Sequence, residues 1–386
     1  MIFRVFRSRL NRVFLLGCVL LAAIITKAEA GYTFTFVADT TGPFSDFSPV
    51  SLNGSGTVAF AARFDGSGAG VFTGNGGALT TITTAATPPF GNPFNPPSIN
   101  QAGTVAFSAG DRVLAGNGGP LITIADTAGP FKGFPSGYTA SINTAGTVGF
   151  FAFLDSGGGG IFAGNGGAVT PILLNSQVSI DFNISGNDAG TFTFRTTNGT
   201  RIVTVNGGSI TTIVDSTGHF NYFGSAPSLN EAGTVAFAAG IAGQDGGIFG
   251  IYTGNGGSLT TIADISGPFS SFSFNDFTSN PPSINDSGTV AFLASLDGGG
   301  FGIYTGDGRS PAEVIGSGDA LFGSTITGLS ISPTSLNDPG QVAFYYTLAN
   351  GTTGIAIANP VPEPSASLLV ALSLGLSLAR RTTRKS

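Results

Sequence analysis

The sequence predicts an all-β fold: a seven-bladed β-propeller of four-stranded blades, closed by its N-terminal strand, with a short C-terminal hydrophobic helix beyond it. Three observations predict it. A ten-residue motif recurs seven times, four strand-like segments fall within each repeat, and the strand missing from the last repeat stands at the opposite end of the chain. Composition agrees. Of 386 residues, 61 are glycine and 34 phenylalanine, and 9% are charged, against about 25% in an ordinary soluble domain. A 41% hydrophobic share suffices for a core, and abundant Gly, Thr, Ser and Phe favour strands joined by tight turns.

Residues 1–30 read as a secretory signal. Arg4, Arg7, Arg9 and Arg12 precede an apolar run over 13–26, and Ala28-Glu29-Ala30 is a small-residue cleavage site. Leu15-Leu16-Gly17-Cys18 is loosely similar to a lipoprotein box, but the apolar run continues to Ile25, which suits a signal core. Cys18 is the one cysteine, so the mature chain has none and its stability rests on packing. Residues 31–361 carry six basic and nineteen acidic side chains, a net charge of −13. That balance disfavours nucleic acid, which needs a basic footprint.

The repeats occupy a propeller domain over 31–360. They read SLNGSGTVAF (51–60), SINQAGTVAF (98–107), SINTAGTVGF (141–150), the worn copy SGNDAGTFTF (185–194), SLNEAGTVAF (228–237), SINDSGTVAF (283–292) and SLNDPGQVAF (335–344). All keep Asn-x-x-Gly-x-x-x-Phe. The asparagines are Asn53, Asn100, Asn143, Asn187, Asn230, Asn285 and Asn337, spaced 47, 43, 44, 43, 55 and 52 residues apart. The glycines are Gly56, Gly103, Gly146, Gly190, Gly233, Gly288 and Gly340, and the phenylalanines Phe60, Phe107, Phe150, Phe194, Phe237, Phe292 and Phe344.

Each unit has one inner order. A short strand ends at Ser-Ile/Leu-Asn. Asn-x-x-Gly turns the chain, because Asn bonds its own backbone and Gly accepts positive φ. Thr-Val-Ala-Phe follows as a strand with Val and Phe on one face, Thr and Ala on the other. A third strand, such as 70–73 or 302–305, ends at Asn75-Gly76, Asn117-Gly118, Asn165-Gly166, Asn206-Gly207, Asn255-Gly256 or Asp307-Gly308. These pairs predict type I′ hairpins, and a fourth strand runs out of each, as at 259–263. Four strands per repeat of this length match a propeller blade. The bulky face of one blade then nests on the small face of the next.

The termini decide between a ring and an open solenoid or a row of sandwiches. The last unit ends after three strands, at Gly354 to Ala358, and runs into Pro360. The orphan segment Tyr32 to Asp39 is similar to fourth strands and their exit loops, Ile124-Ala125-Asp126 and Ile262-Ala263-Asp264. One end completing the other removes an open edge.

Residues 361–386 form a tail: Pro362-Glu363-Pro364, an apolar stretch over 365–379, and a basic end with Arg380, Arg381, Arg384 and Lys385. This order resembles the PEP-CTERM sorting signal of bacteria. The resemblance implies recognition by exosortase-type machinery, delivery to the cell surface, membrane attachment through the C-terminal helix before processing, and association with exopolysaccharide. The apolar stretch is 15 residues, short against the ~20 of a spanning helix. The repeat array resembles the tandem NxxGxxxF-repeat proteins, which bring no activity to particular residues.

Little in the sequence points to catalysis, a cofactor or a metal. One His and one Cys cannot build a His-rich or thiolate metal site. His219 stands where two other copies have Pro130 and Pro268, and no acid and serine are marked out beside it. Exit-loop aspartates Asp39, Asp126, Asp215, Asp264 and Asp319 offer either a cation or glycan surface or Asx turns opening each loop. Gly-Pro-Phe at 42–44, 129–131 and 267–269 is either an exposed aromatic rim or a plug beneath each loop. The reading that follows is an exported, surface-sorted, non-enzymatic propeller with a structural or matrix role. The alternatives are a glycan-binding propeller and a polysaccharide hydrolase or lyase using a unique acid such as Glu231 or Glu313.

Overall fold

The computed structural model describes residues 31–85, 96–135, 140–244, 247–272 and 280–362, and every regular element among them is a strand. The strands form seven antiparallel sheets, one per repeat. In the first blade Phe44–Phe47 and Ser51–Leu52 lie innermost, followed by Val58–Phe64, Ala69–Gly74 and Thr80–Ala85. The segment 33–359 forms one compact unit. A second unit comprises Met1–Tyr32 and Pro360–Ser386. Of that second unit only residues 31, 32 and 360–362 are described, and in it the Val361 N–H donates to the Gly31 carbonyl at 2.8 Å. Pro362 is exposed. The secretory signal, Glu363, Pro364, Arg380, Arg381 and the C-terminal helix fall outside the described residues.

Both faces of the second strand are buried, as the two-sided covering of a blade demands. Val58, Ala59 and Phe60 are all sealed from solvent. Val58 and Phe60 pack with Phe44, Phe47 and Phe72 of their own blade and with Ala343 of the last. On the other face Ala59 and Ala61 receive Val105 and Phe107 of the second blade. The bulky face of each blade thus sits on the small face of its predecessor. All seven motif phenylalanines are at most 2% exposed, and each contributes roughly 1.5–3 kcal/mol by burial.

The innermost strand corrects the expected layout. The Ser-Ile/Leu segment is only its second half and covers just the start of the seven-residue second strand, Ser51 opposite Ala59 and Leu52 opposite Val58. The Gly-Pro-Phe segment supplies the first half, with Phe44 opposite Phe64 and Phe47 opposite Ala62. Phe44, Phe131 and Phe269 are consequently 3–5% exposed. They are core residues and not an aromatic rim, since half a strand leaves the other half of its partner to be paired.

The type I′ expectation also fails for most hairpins. Asn75, Asn117, Asn165, Asn255 and Asp307 do not adopt positive φ. Their strands pair at Thr73↔Thr80 and the equivalent positions, leaving a longer tip. Only the fourth blade closes on two central residues of positive φ, Gly207 (53°) and Gly208 (84°), between paired Asn206 and Ser209.

The ring closes as the termini foretold. Tyr32–Asp39 is the outermost strand of the last blade, beside Thr353–Pro360. The Thr40 N–H donates to the Thr353 carbonyl at 2.9 Å, and Asn359 Nδ2 donates to Thr35 Oγ1 at 3.0 Å. Removing the chain through Asp39 should expose a bare strand edge at Thr353–Pro360 and the cluster that Val37 and Ala38 cover. We expect self-association by size-exclusion chromatography and loss of a single cooperative thermal transition. A monomer with unchanged melting would contradict closure by this strand.

Candidate functional site

The polar residues that recur in every blade meet around the axis. Each motif asparagine first closes its own turn: its Oδ1 accepts the N–H four residues on, at 2.8–3.0 Å, from Thr57, Thr104, Thr147, Thr191, Thr234, Thr289 and Gln341. The motif glycine takes φ between 73° and 83° in every copy, a region where a Cβ is costly. The asparagine then reaches across to the next blade. Asn53 Nδ2 donates to the Asn100 carbonyl, Asn100 to Asn143, Asn187 to Asn230, Asn230 to Asn285 and Asn285 to Asn337, all at 3.0–3.2 Å. Asn337 donates back to Asn53 at 3.0 Å, across 284 residues of sequence. Asn143 alone makes no such bond: its Nδ2 finds no acceptor among the described residues.

A second circle runs beside the first. The hydroxyls of Ser51, Ser98, Ser141, Ser185, Ser228 and Ser283 each accept the N–H of the Ile, Leu or Gly before the next blade's asparagine, at 2.9–3.3 Å. At the join the Thr334 carbonyl takes over and accepts from Leu52 N–H at 2.9 Å. The residue after each asparagine makes a third, partial circle. Gln101 accepts from Gly54 N–H, Asp188 from Thr144, Glu231 from Asp188, Asp286 from Glu231 and Asp338 from Asp286, at 2.7–3.1 Å. Of these residues the sequence singles out only Glu231, as a candidate acid of a hydrolase or lyase, and here it accepts from the Asp188 N–H. The signal of the others is a recurring position beside each asparagine.

These acids line an axial mouth of about 340 Å³, with Leu52, Leu229, Ile284 and Leu336 beneath them. Glu231 is pushed above the usual carboxylate range by burial and by Asp188, Asp286 and Asp338, against the pull of the Asp188 N–H. Among the described residues no three His, Cys, Asp or Glu side chains converge to hold a metal ion. Each mouth carboxylate commits an oxygen to a neighbouring backbone N–H, so it ties one blade to the next.

The other candidates lie apart from the axis. Asp39, Asp126, Asp215 and Asp264 close Asx turns, each Oδ1 accepting the N–H two residues on at 2.9–3.1 Å. The Thr217 hydroxyl and the Thr217 N–H, both donating to Oδ1, hold Asp215 below the usual carboxylate range. Asp319 instead accepts from Gly316 N–H at 2.8 Å. His219 is exposed, edge-on to Phe220 with ring centroids 5.1 Å apart. Glu313 accepts from the Tyr304 hydroxyl at 3.3 Å. Sequence reasoning also passed over Arg195, which pairs with Asp181 at 2.5 Å and donates to the Phe223 carbonyl of the fifth blade at 2.9 Å.

The profile of a family described as a family of unknown function, DUF7453, matches residues 123–368. A comparison with the curated proteins finds no match. Among solved structures, a puromycin-hydrolysing peptidase of Mycobacterium tuberculosis is 13% identical with a TM-score of 0.50, over 88% of this chain and 56% of its own. YCF48 bound to D1 peptide is 12% identical with a TM-score of 0.46, over 87% of this chain and 98% of its own. YCF48 from Cyanidioschyzon merolae is 12% identical with a TM-score of 0.42, over 84% and 99%. Likenesses this distant concern the fold alone.

Two outcomes test the ring. Asn285→Ala removes the cross-blade donor to Asn337 and the acceptor of Thr289 N–H, and should cost about 2–4 kcal/mol in chemical denaturation. Asn143→Ala removes only a turn acceptor and should cost ~1 kcal/mol less. Equal costs would contradict the cross-blade role. Glu231→Gln keeps an acceptor for Asp188 N–H while removing repulsion from three acids. The raised pKa means the folded chain takes up this proton first as pH falls. The variant should therefore gain a few tenths of a kcal/mol at neutral pH after solvent screening, and lose that advantage as pH falls into the carboxylate range. Parallel pH–stability curves for the two proteins would contradict this.

Proposed function

The chain belongs to the DUF7453 family, and from that premise we propose that it is an exported, surface-sorted, non-enzymatic β-propeller with a structural or extracellular-matrix role. The observation that carries this reading is where the recurring polar groups go. The motif asparagines, the serines, the mouth acids and four exit-loop aspartates all bond to backbone within or between blades. Residues repeated in every blade therefore serve the ring itself, and selection for a rigid body explains them without a reaction. Export is supported by the basic-apolar-Ala28-Glu29-Ala30 front. Surface sorting is supported by Pro362-Glu363-Pro364, the apolar stretch and the basic end with Arg380 and Arg381. In this reading exosortase-type machinery handles the tail, which holds the chain at the membrane until processing, and exopolysaccharide is the surrounding material.

A second reading, a glycan-binding propeller, is favoured by one feature: the gap in the asparagine ring at Asn143.

Fractionation of the producing cell, with mass spectrometry of the mature termini, tests the first reading. It predicts an N-terminus at Gly31, a C-terminus near Pro362-Glu363-Pro364, and protein in the surface or medium fraction. An intact residue 1–386 chain in the cytoplasm would overturn it.

A further inference from the structure

The seam between the third and fourth blades is built unlike the others. Where the hairpins of five blades are long, Gly76, Gly118, Gly166, Gly256 and Gly308 press against the outer strand of the preceding blade, at Thr35, Thr80, Ile122, Thr211 and Thr260. The tight fourth hairpin stops short, and no atom outside its own neighbours lies within 4 Å of the Cβ position at Gly207. Asn206 at its tip bonds inside its own blade, to the Ala189 carbonyl and Thr191 Oγ1. Ile172, on the outer strand of the third blade, is left half-buried, whereas its equivalents Ile82, Ile124, Ile213 and Ile262 are 4–5% exposed.

The worn repeat accounts for the gap. Phe192 stands where the other copies have Val, and its ring lies where a Cβ on Gly149 or Gly186 would be. Those two positions are Ala or Thr and Ile or Leu in the other copies. The added ring is thus accommodated by two matched deletions, one in each blade. Val205 stands where five other blades have Gly and pairs with Ile210 across the tight hairpin. With the blades held so, Asn143 does not reach the Asn187 carbonyl. A cleft of about 280 Å³ remains, lined by Asn143, Thr147, Ala163, Ile172, Asp188 and Phe192.

This lining has a definite chemistry. Asn143 Nδ2 offers two N–H donors, and Thr147 a hydroxyl. Asp188 has one oxygen accepting from Thr144 N–H and a second oxygen to spare. Ala163 and Ile172 add an aliphatic wall. Donors and acceptors side by side suit hydroxyl groups, which do both, and an aliphatic wall suits the C–H face of a sugar ring. The volume lies just under the usual range of ligand pockets, which suits a single ring. Asp188 and a net charge of −13 over 31–361 turn away acidic sugars. Asp188 and Ala189 are exposed, so further units of a polymer can run outward there.

We infer that the cleft between the third and fourth blades binds one neutral sugar unit of a polysaccharide. The inference rests on the glycan-binding reading for its class of ligand. Calorimetric titration and saturation-transfer NMR of the intact chain with cellotetraose, maltotetraose and mannotetraose test it. At least one probe should bind. Asn143→Ala, and Ala163→Phe, which fills the cleft, should each weaken that binding by about tenfold or more. Asn53→Ala, on a sealed seam, should lower stability and leave sugar affinity unchanged, with circular dichroism confirming the fold of each variant. No binding by any probe overturns the inference, as does equal binding by wild type and Ala163→Phe. A surface-located chain that binds no sugar sinks the glycan-binding reading and the cleft with it, whereas sugar binding that Ala163→Phe leaves unchanged sinks the cleft alone. A sugar-binding chain found in the cytoplasm sinks the sorting proposal alone.

Discussion

The carboxamide of every motif asparagine but Asn143 does two jobs that depend on each other. Its oxygen fixes the turn that starts the second strand, and its nitrogen reaches the carbonyl of the next blade's asparagine. The side chain is buried in six of the seven copies, at 4–6% exposure. There an unmet donor or acceptor costs about 1–3 kcal/mol, so the turn and the blade spacing must be right together. Asn337 closes onto Asn53 only when the last blade meets the first. That meeting requires the N-terminal strand on the last sheet. The bulky-on-small packing of blade faces follows from the same spacing, because the carboxamide sets how near neighbouring inner strands approach.

Much of this was legible in the sequence. Blade number, the order of the outer three strands, the buried Val and Phe face and closure by the N-terminal strand all follow from a repeat read with its missing piece. They are properties of period and alternation, which one sequence displays fully. The asparagine was also picked out, but for its turn alone. Its cross-blade bond spans 43 to 55 residues between neighbours, and nothing local encodes that distance. Gly and Pro punctuate turns, so from the sequence the Gly-Pro-Phe segment is either an aromatic rim or a plug beneath a loop, and its burial agrees with the plug. Yet Phe44 and Phe269 belong to a strand whose two halves share one long partner. Asn-Gly was read as a two-residue turn for a similar reason, and packing on the preceding blade favoured the longer tip.

The fourth repeat shows how a departure from a repeat carries meaning. Taken alone, Gly186 and Phe192 look like drift. Placed in the ring, they face Gly149 of the neighbouring blade, which also departs from the pattern, and the three changes fit one another in space. A seam altered on both sides is where the ring trades a sealing bond for an opening. The recurrent acids at the axial mouth are the converse case. They look like a site, but each accepts a backbone N–H of the preceding blade.

The central claim is that the carboxamides make the seven turns one cooperative closure with a single weak point. Native-state hydrogen exchange of the N–H groups they hold measures it most directly. The amides of Thr57, Thr104, Thr191, Thr234, Thr289 and Gln341 should exchange together, through global unfolding, while Thr147 beside Asn143 exchanges faster. Seven unrelated rates, or greatest protection at Thr147, would contradict the account.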